Sequence, residues 1–256
     1  MSRGHDRMAS WDVRILSVSY KREGDGTIVQ IFGRTKDGKS ITARFAGFRP
    51  YFYVIKPSGQ ALEMLRKDST NVASVDDEDT VLLYQGKEVP CRKIMTTFPF
   101  VVPQVRSALI ERGFKVLAAD IPFHLRFTYD MNLSSCVKIT GVEDERRRAD
   151  YTTELVVGAE KLENIDAFYP DLKIMAFDIE NSMRDQHLIT LCGVIRKSSG
   201  EPLDSFELEG DERSIIEGFG EQISESDPDI ITGYNIDGYD IPKILERAKA
   251  LGIAGE

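Results

Sequence analysis

Phe177-Asp178-Ile179-Glu180 closes an apolar run that begins at Lys173. Side chains alternate across a strand, so Asp178 and Glu180 point to one face. Two carboxylates projecting together repel unless a cation lies between them, and Mg2+ and Mn2+ favour such oxygen ligands. The pair alone is a weak signal. With 42 acids in 256 residues, chance supplies roughly seven acid-x-acid pairs. The competing reading is a solvated strand end.

A second element stands about 60 residues downstream of Glu180. Ile230-Ile231-Thr232-Gly233-Tyr234-Asn235 reads as a strand entering a polar turn, and Ile236-Asp237-Gly238-Tyr239-Asp240 follows. Ile241-Pro242 then begins a helix, where proline suits an early position. Asp240 stands at that N-terminus, where the helix dipole favours an anion. A plain reading is that Asp240 only caps the helix.

The elements that must position these acids follow from periodicity. Strands fit 173–179, 187–196, 203–208 and 229–233, with helices over 212–224 and 241–251. Strands, helix, strand, helix suits an α/β sheet with helices packed on it. The first 130 residues are strand-rich instead, with runs near 13–20, 27–34, 40–46, 48–55, 81–85 and 89–97. Turns such as Gly24-Asp25-Gly26 and Asp37-Gly38 separate several of them. Helices fit 60–67 and 103–112, the second with Pro103 at its start and Gly113 past its end. The fold class is α+β: a mixed α/β domain over 1–145, then a second domain over 146–256. The charged stretch 141–153 reads as the connector.

Composition narrows the classes. Hydrophobic residues make up 41% and charged residues 29%, the balance of a soluble globular protein. No apolar run approaches the ~18 residues of a membrane span. The first ten residues lack a signal-peptide core, so a cytoplasmic location and no membrane partner are expected. Cys91, Cys136 and Cys192 lie far apart and read as buried reduced thiols rather than a zinc site or disulfide framework. A net charge of −9 argues against a simple DNA-coating protein, but not against an enzyme that gathers metal with carboxylates.

Taken together, Phe-Asp-Ile-Glu at 177–180 and Asn-x-x-x-Tyr-Asp at 235–240 resemble the first two exonuclease motifs of B-family DNA polymerases. One variation is Asn181, where many members carry Thr. The resemblance implies a ribonuclease-H-like (DnaQ-like) 3′–5′ proofreading exonuclease domain. Asp178, Glu180 and Asp240 would be its catalytic metal ligands, for two Mg2+ or Mn2+ ions in a complete domain. Asn235 and Tyr239 would hold the single-stranded DNA 3′ end. The family's third motif, Tyr-x-x-x-Asp, is not found in 241–256, and the polymerase signature Asp-Thr-Asp is absent throughout. The exonuclease site is therefore expected to be incomplete and the chain alone inactive. It would act with the remainder of a polymerase chain or a complementing subunit.

The resemblance extends upstream. Phe48-Arg49-Pro50-Tyr51-Phe52-Tyr53, Pro99-x-x-Val102-Pro103 and Asp120-Ile121-Pro122-Phe123 with Arg126 are similar to blocks of archaeal B-family polymerases. There these blocks line a pocket that captures uracil in the template strand. Tyr20, Pro50, Pro99, Val102, Phe123 and Arg126 are the matching positions. Phe100 and Val101 are more apolar than that block carries, which implies an altered or closed pocket. Two other classes stay open: a catalytically silent DNA-binding or scaffolding subunit of a split polymerase, and a stand-alone ribonuclease-H-like nuclease.

Overall fold

The structure, a computed structural model, describes residues 8–253. The outer ends of the two expected domains, residues 1–7 and 254–256, lie outside the described residues. The chain forms two compact units, one ending at Tyr169 and one beginning at Pro170.

The first unit combines a closed barrel with an α/β layer. Strands β1 (Ala9–Glu23), β2 (Gly26–Thr35) and β3 (Ser40–Phe45) form a meander. The layer follows: β4 (Tyr51–Ile55), α1 (Gly59–Lys67), β5 (Val72–Tyr84), β6 (Lys87–Thr96), α2 (Val102–Glu111) and β7 (Val116–Leu117). A 3-10 turn, Pro99–Val101, links β6 to α2. Then come α3 (Phe123–Asp130), β8 (Cys136–Glu143) and β9 (Leu155–Asn164).

The barrel closes in the order β1-β2-β3-β9-β8. Alternate residues of its strands turn inward, among them Val13, Val29, Ile31, Ile41, Val137 and Val157, and α3 adds Phe123 and Phe127 to the same core. The layer has strand order β5-β6-β4-β7. That is the β-α-β-β-α-β arrangement in which two helices cover one sheet face. Phe52, Val54 and Ile94 meet Leu65, Val105 and Leu109 there. The Ser58 hydroxyl caps α1 by accepting from the Ala61 N–H at 3.2 Å.

Barrel closure moves the division between units. It falls after Tyr169, not at 145/146. β9 pairs in parallel with β3 (Ile41 with Leu155) and antiparallel with β8, so it belongs to the first unit. The charged connector lies inside that unit. Arg44 bridges Glu23 at 2.6 Å and Asp144 at 2.7 Å, while Arg147 reaches Glu23 at 2.8 Å.

The second unit is the α/β sheet expected from periodicity. Strands β10 (Lys173–Asn181), β11 (Leu188–Lys197) and β12 (Pro202–Glu209) form an antiparallel meander. Helix α4 (Glu212–Ser226) returns the chain to β13 (Ile230–Thr232), which pairs in parallel with β10. Helix α5 (Asp240–Ala250) follows. The sheet order is β12-β11-β10-β13. Met175, Phe177, Ile179, Leu191 and Ile195 pack one sheet face against Ile215, Ile216 and Phe219 of α4 and Ile244 of α5. No helix among the described residues is long and apolar enough to cross a membrane.

Candidate active site and a second cavity

Burial along β10 alternates as its sequence requires. Met175, Phe177 and Ile179 are buried, while Asp178 and Glu180 are exposed on the opposite face. Register sets Asp178 across from Cys192 and Glu180 across from Thr190. Cys192 is thus exposed, unlike the buried Cys91 and Cys136, because among the described residues no helix packs on the face it shares with Asp178. A shallow groove runs over that face past Ala176, Asp178, Cys192, Val194 and Glu207.

The second acid-bearing element is built by a tight turn. Gly233 lies so close to β10 that a Cβ there would stand 2.6 Å from the Phe177 carbonyl oxygen and strike the Ile236 side chain. Asn235 adopts a left-handed backbone, φ 57°, a conformation asparagine tolerates. Its carbonyl accepts from the N–H groups of Gly238 and Tyr239, both at 3.0 Å. The turn delivers Asp240 to the first position of α5, where Tyr239 is the cap residue and no side-chain capping bond forms. So Asp240 does not cap its helix by a hydrogen bond. It is 3% exposed, and its carboxylate makes no hydrogen bond or ion pair among the described residues. The same holds for Asp178 and Glu180.

A buried carboxylate without a partner is costly unless it is neutralised or meets a cation. That cost falls on Asp240, the buried one of the three; exposed Asp178 and Glu180 fit an oxygen-binding divalent ion by donor type alone. The three acids are not gathered: among the described residues no three carboxylate, imidazole or thiol groups come together to hold a metal. Tyr239, half-exposed, donates from its hydroxyl to the Asn181 side-chain oxygen at 2.8 Å. Asn235 is exposed beside the nearly bare Tyr234.

Sequence reasoning missed the anchor between the helices of this unit. Glu212, at the start of α4, accepts from Nε and Nη2 of Arg247 in α5 at 2.7 and 2.6 Å and from the Leu188 N–H at 2.8 Å. The Arg247 guanidinium holds the Glu212 carboxyl below its ordinary value of 4.5, with burial opposing and the Leu188 N–H assisting. A single Glu and a single Arg 35 positions apart carry no local pattern that marks them.

In the first unit, Tyr20, Pro50, Pro99, Val102, Phe123 and Arg126 all line one cavity of about 320 Å3. Four segments converge on it: the outer part of β1, the loop before β4, the Pro99–Val101 turn with α2, and the 118–126 stretch into α3. Tyr20 meets Phe123 edge-on, ring centroids 5.0 Å apart. Arg126 is buried. It donates to the Ala118 carbonyl and lies over the Tyr51 ring at 4.4 Å. Burial, reinforced by the hydrogen bond from its hydroxyl to Asp130, pushes the Tyr51 phenol up to about 12. Phe100 and Val101 do not line the cavity. Val101 points into the core and Phe100 points out, 62% exposed. Neither residue therefore forms a wall of the cavity.

The model of the DNA polymerase family B exonuclease domain matches residues 193–255. DNA polymerase 2 of Aeropyrum pernix is 31% identical over 94% of this chain and 32% of its own length. The DNA polymerase of Archaeoglobus fulgidus is 28% identical over 97% of this chain and 31% of its own. A solved family B DNA polymerase from Pyrobaculum calidifontis superposes with a TM-score of 0.74 at 27% identity, over 94% of this chain and 33% of that one. The chain thus spans about a third of the length of the proteins it matches.

Proposed function

We propose that this chain, which in sequence and fold matches the N-terminal and exonuclease region of family B DNA polymerases, contributes single-stranded DNA binding and part of a proofreading 3′–5′ exonuclease site. The observation that carries this reading is the exposed Asp178–Glu180 pair on one face of β10, with unpartnered Asp240 at the start of α5. These three side chains would hold the Mg2+ or Mn2+ on which such exonucleases depend. When bound, the metal supplies an activated water and stabilises the leaving 3′ oxygen. Asn235, at the exposed turn, would orient the terminal phosphate. Tyr239, tied to Asn181, would limit where the last base lies. Because the three acids do not converge among the described residues, we read the isolated chain as catalytically silent and dependent on further polymerase sequence. A DNA-processing role fits a cytoplasmic location.

Direct Mn2+ binding, read by electron paramagnetic resonance, tests the ligand assignment without relying on turnover. In a chain extended by the downstream polymerase sequence the site should bind Mn2+, and Asp178→Asn or Glu180→Gln should lower that binding by at least tenfold. Equal binding by wild type and both variants overturns it. Mg2+-dependent shortening of a single-stranded 3′ end by this chain alone, abolished by Asp178→Ala, would instead favour a stand-alone nuclease.

The cavity supports a second activity. Its lining of prolines, aromatic rings and the buried Arg126 suits a flipped pyrimidine, and a tight wall would reject the methyl group of thymine. We propose that Tyr20, Pro50, Pro99, Val102, Phe123 and Arg126 form a site for uracil in a template strand. Fluorescence anisotropy with uracil- and thymine-containing single strands tests it, and equal affinities sink the idea.

A further inference from the structure

Immediately beside the cavity is an aromatic stack that the uracil reading does not use. Phe98 and Phe100 lie parallel, 9° apart in plane with centroids at 5.3 Å. The Arg22 guanidinium also lies over the Phe98 ring, 4.4 Å from its centroid. Phe98 is half-buried and Phe100 is 62% exposed, so the stack grades from the protein surface into solvent.

The stack and the cavity are made from the same two segments. On β1, Tyr20 and Arg22 are two residues apart and therefore share a face; Tyr20 reaches the cavity and Arg22 the stack. Where the turn enters α2, Pro99 and Val102 line the cavity while Phe98 and Phe100 form the stack. The turn is held from behind. The Phe98 carbonyl accepts from the Thr96 hydroxyl at 3.2 Å and the Val101 N–H at 3.3 Å, and the Thr97 hydroxyl donates to the Thr70 carbonyl at 2.9 Å. The platform is therefore ordered before any ligand arrives, which lowers the entropic cost of binding.

We propose that Phe100 stacks the nucleobase adjacent to the one captured in the cavity, with Arg22 offering its charge to the phosphate between them. The inference rests on the cavity holding a base. Pro99 lines the cavity and Phe100, the next residue, carries the exposed ring, so the platform begins where the cavity wall ends. An exposed ring already stacked on a second ring presents the flat face that single-strand binding proteins use. Such stacking tolerates any base. The cavity would choose the base and the platform would fix the strand.

The test measures anisotropy of labelled single strands carrying uracil or thymine at one position, each with an ordinary or an abasic neighbour on either side. Phe100→Ala should weaken binding about tenfold for uracil and thymine strands alike, and Phe100→Trp should preserve it. An abasic neighbour on one side should erase the Phe100→Ala effect. Unchanged affinity in Phe100→Ala, or a loss that persists with either neighbour abasic, overturns the platform. Equal wild-type affinity for uracil and thymine strands, with the Phe100 effect intact, overturns the cavity reading alone. No binding of any strand by the wild type overturns both.

Discussion

The Tyr239 hydroxyl donates to the Asn181 side-chain oxygen at 2.8 Å, joining the residue before α5 to the end of β10. The two acid-bearing elements are thereby tied by side chains as well as by the β10–β13 pairing. Tyr239→Phe and Asn181→Ala should each cost about 0.5–1 kcal/mol, the net worth of one exposed hydrogen bond. The double variant should cost little more than either alone, because both remove the same contact. Urea titration of the three variants checks this; additive losses would show that the bond contributes nothing.

Gly233 should be the residue of the turn least tolerant of change. A Cβ there meets the Phe177 carbonyl oxygen at 2.6 Å and the Ile236 side chain, and strand backbone cannot yield cheaply. Gly233→Ala is expected to destabilise the second unit by about 2 kcal/mol. It should also weaken Mn2+ binding although it touches no proposed ligand. Mn2+ affinity equal to wild type would separate the turn's geometry from the acids.

The sheet of the second unit was readable because β10, β11, α4 and α5 carry clean periodicities of two or of three to four. The acids followed, since alternation alone puts Asp178 and Glu180 on one face. The barrel was not readable. β9 is half polar, with Glu160, Lys161 and Glu163 near its end, and its partner β3 is over a hundred residues away. The early part of β5 was hidden by Asp76-Asp77-Glu78-Asp79. That run looks like a solvated turn but forms an irregularity in the β5–β6 pairing. There Arg92 takes the Asp79 carboxylate and the carbonyls of Asp76 and Asp77. Helix α3 was missed because it is only eight residues long, too short for its periodicity to stand out. Local sequence does not announce contacts that only closure creates.

Acid should loosen the second unit through Glu212. Its carboxyl titrates lower in the folded chain than its ordinary 4.5 because Arg247 hydrogen-bonds the charged form. A depressed folded value means the stabilisation is complete above the unfolded value. It is lost as pH falls through the folded one. The melting midpoint of wild type should therefore drop from about pH 5 downward, and more steeply than that of Glu212→Gln, which cannot ionise. Parallel curves for the two proteins would exclude Glu212 as the source.

Arg126 should matter to the cavity through shape as well as charge. Its planar guanidinium donates to the Ala118 carbonyl while lying over Tyr51, a pairing that lysine cannot reproduce. Arg126→Lys should cost on the order of 2 kcal/mol in stability and lower the affinity for uracil strands. The Tyr51 phenol titration, followed by ultraviolet absorbance, should change with it, since Arg126 faces that ring. An unaltered tyrosine titration would place Arg126 outside the pocket's electrostatics.

The closed barrel has a consequence for the order of folding. β1, β2 and β3 are made early, but they cannot form a cylinder until β8 and β9 emerge from the ribosome. The entire α/β layer lies between those two sets of strands, and its own pairings are more local. Contacts of long sequence separation form slowly, whereas a local unit can fold while synthesis continues. The layer is thus free to mature first, and the cavity lined from both parts is completed only when the last barrel strands close around β3.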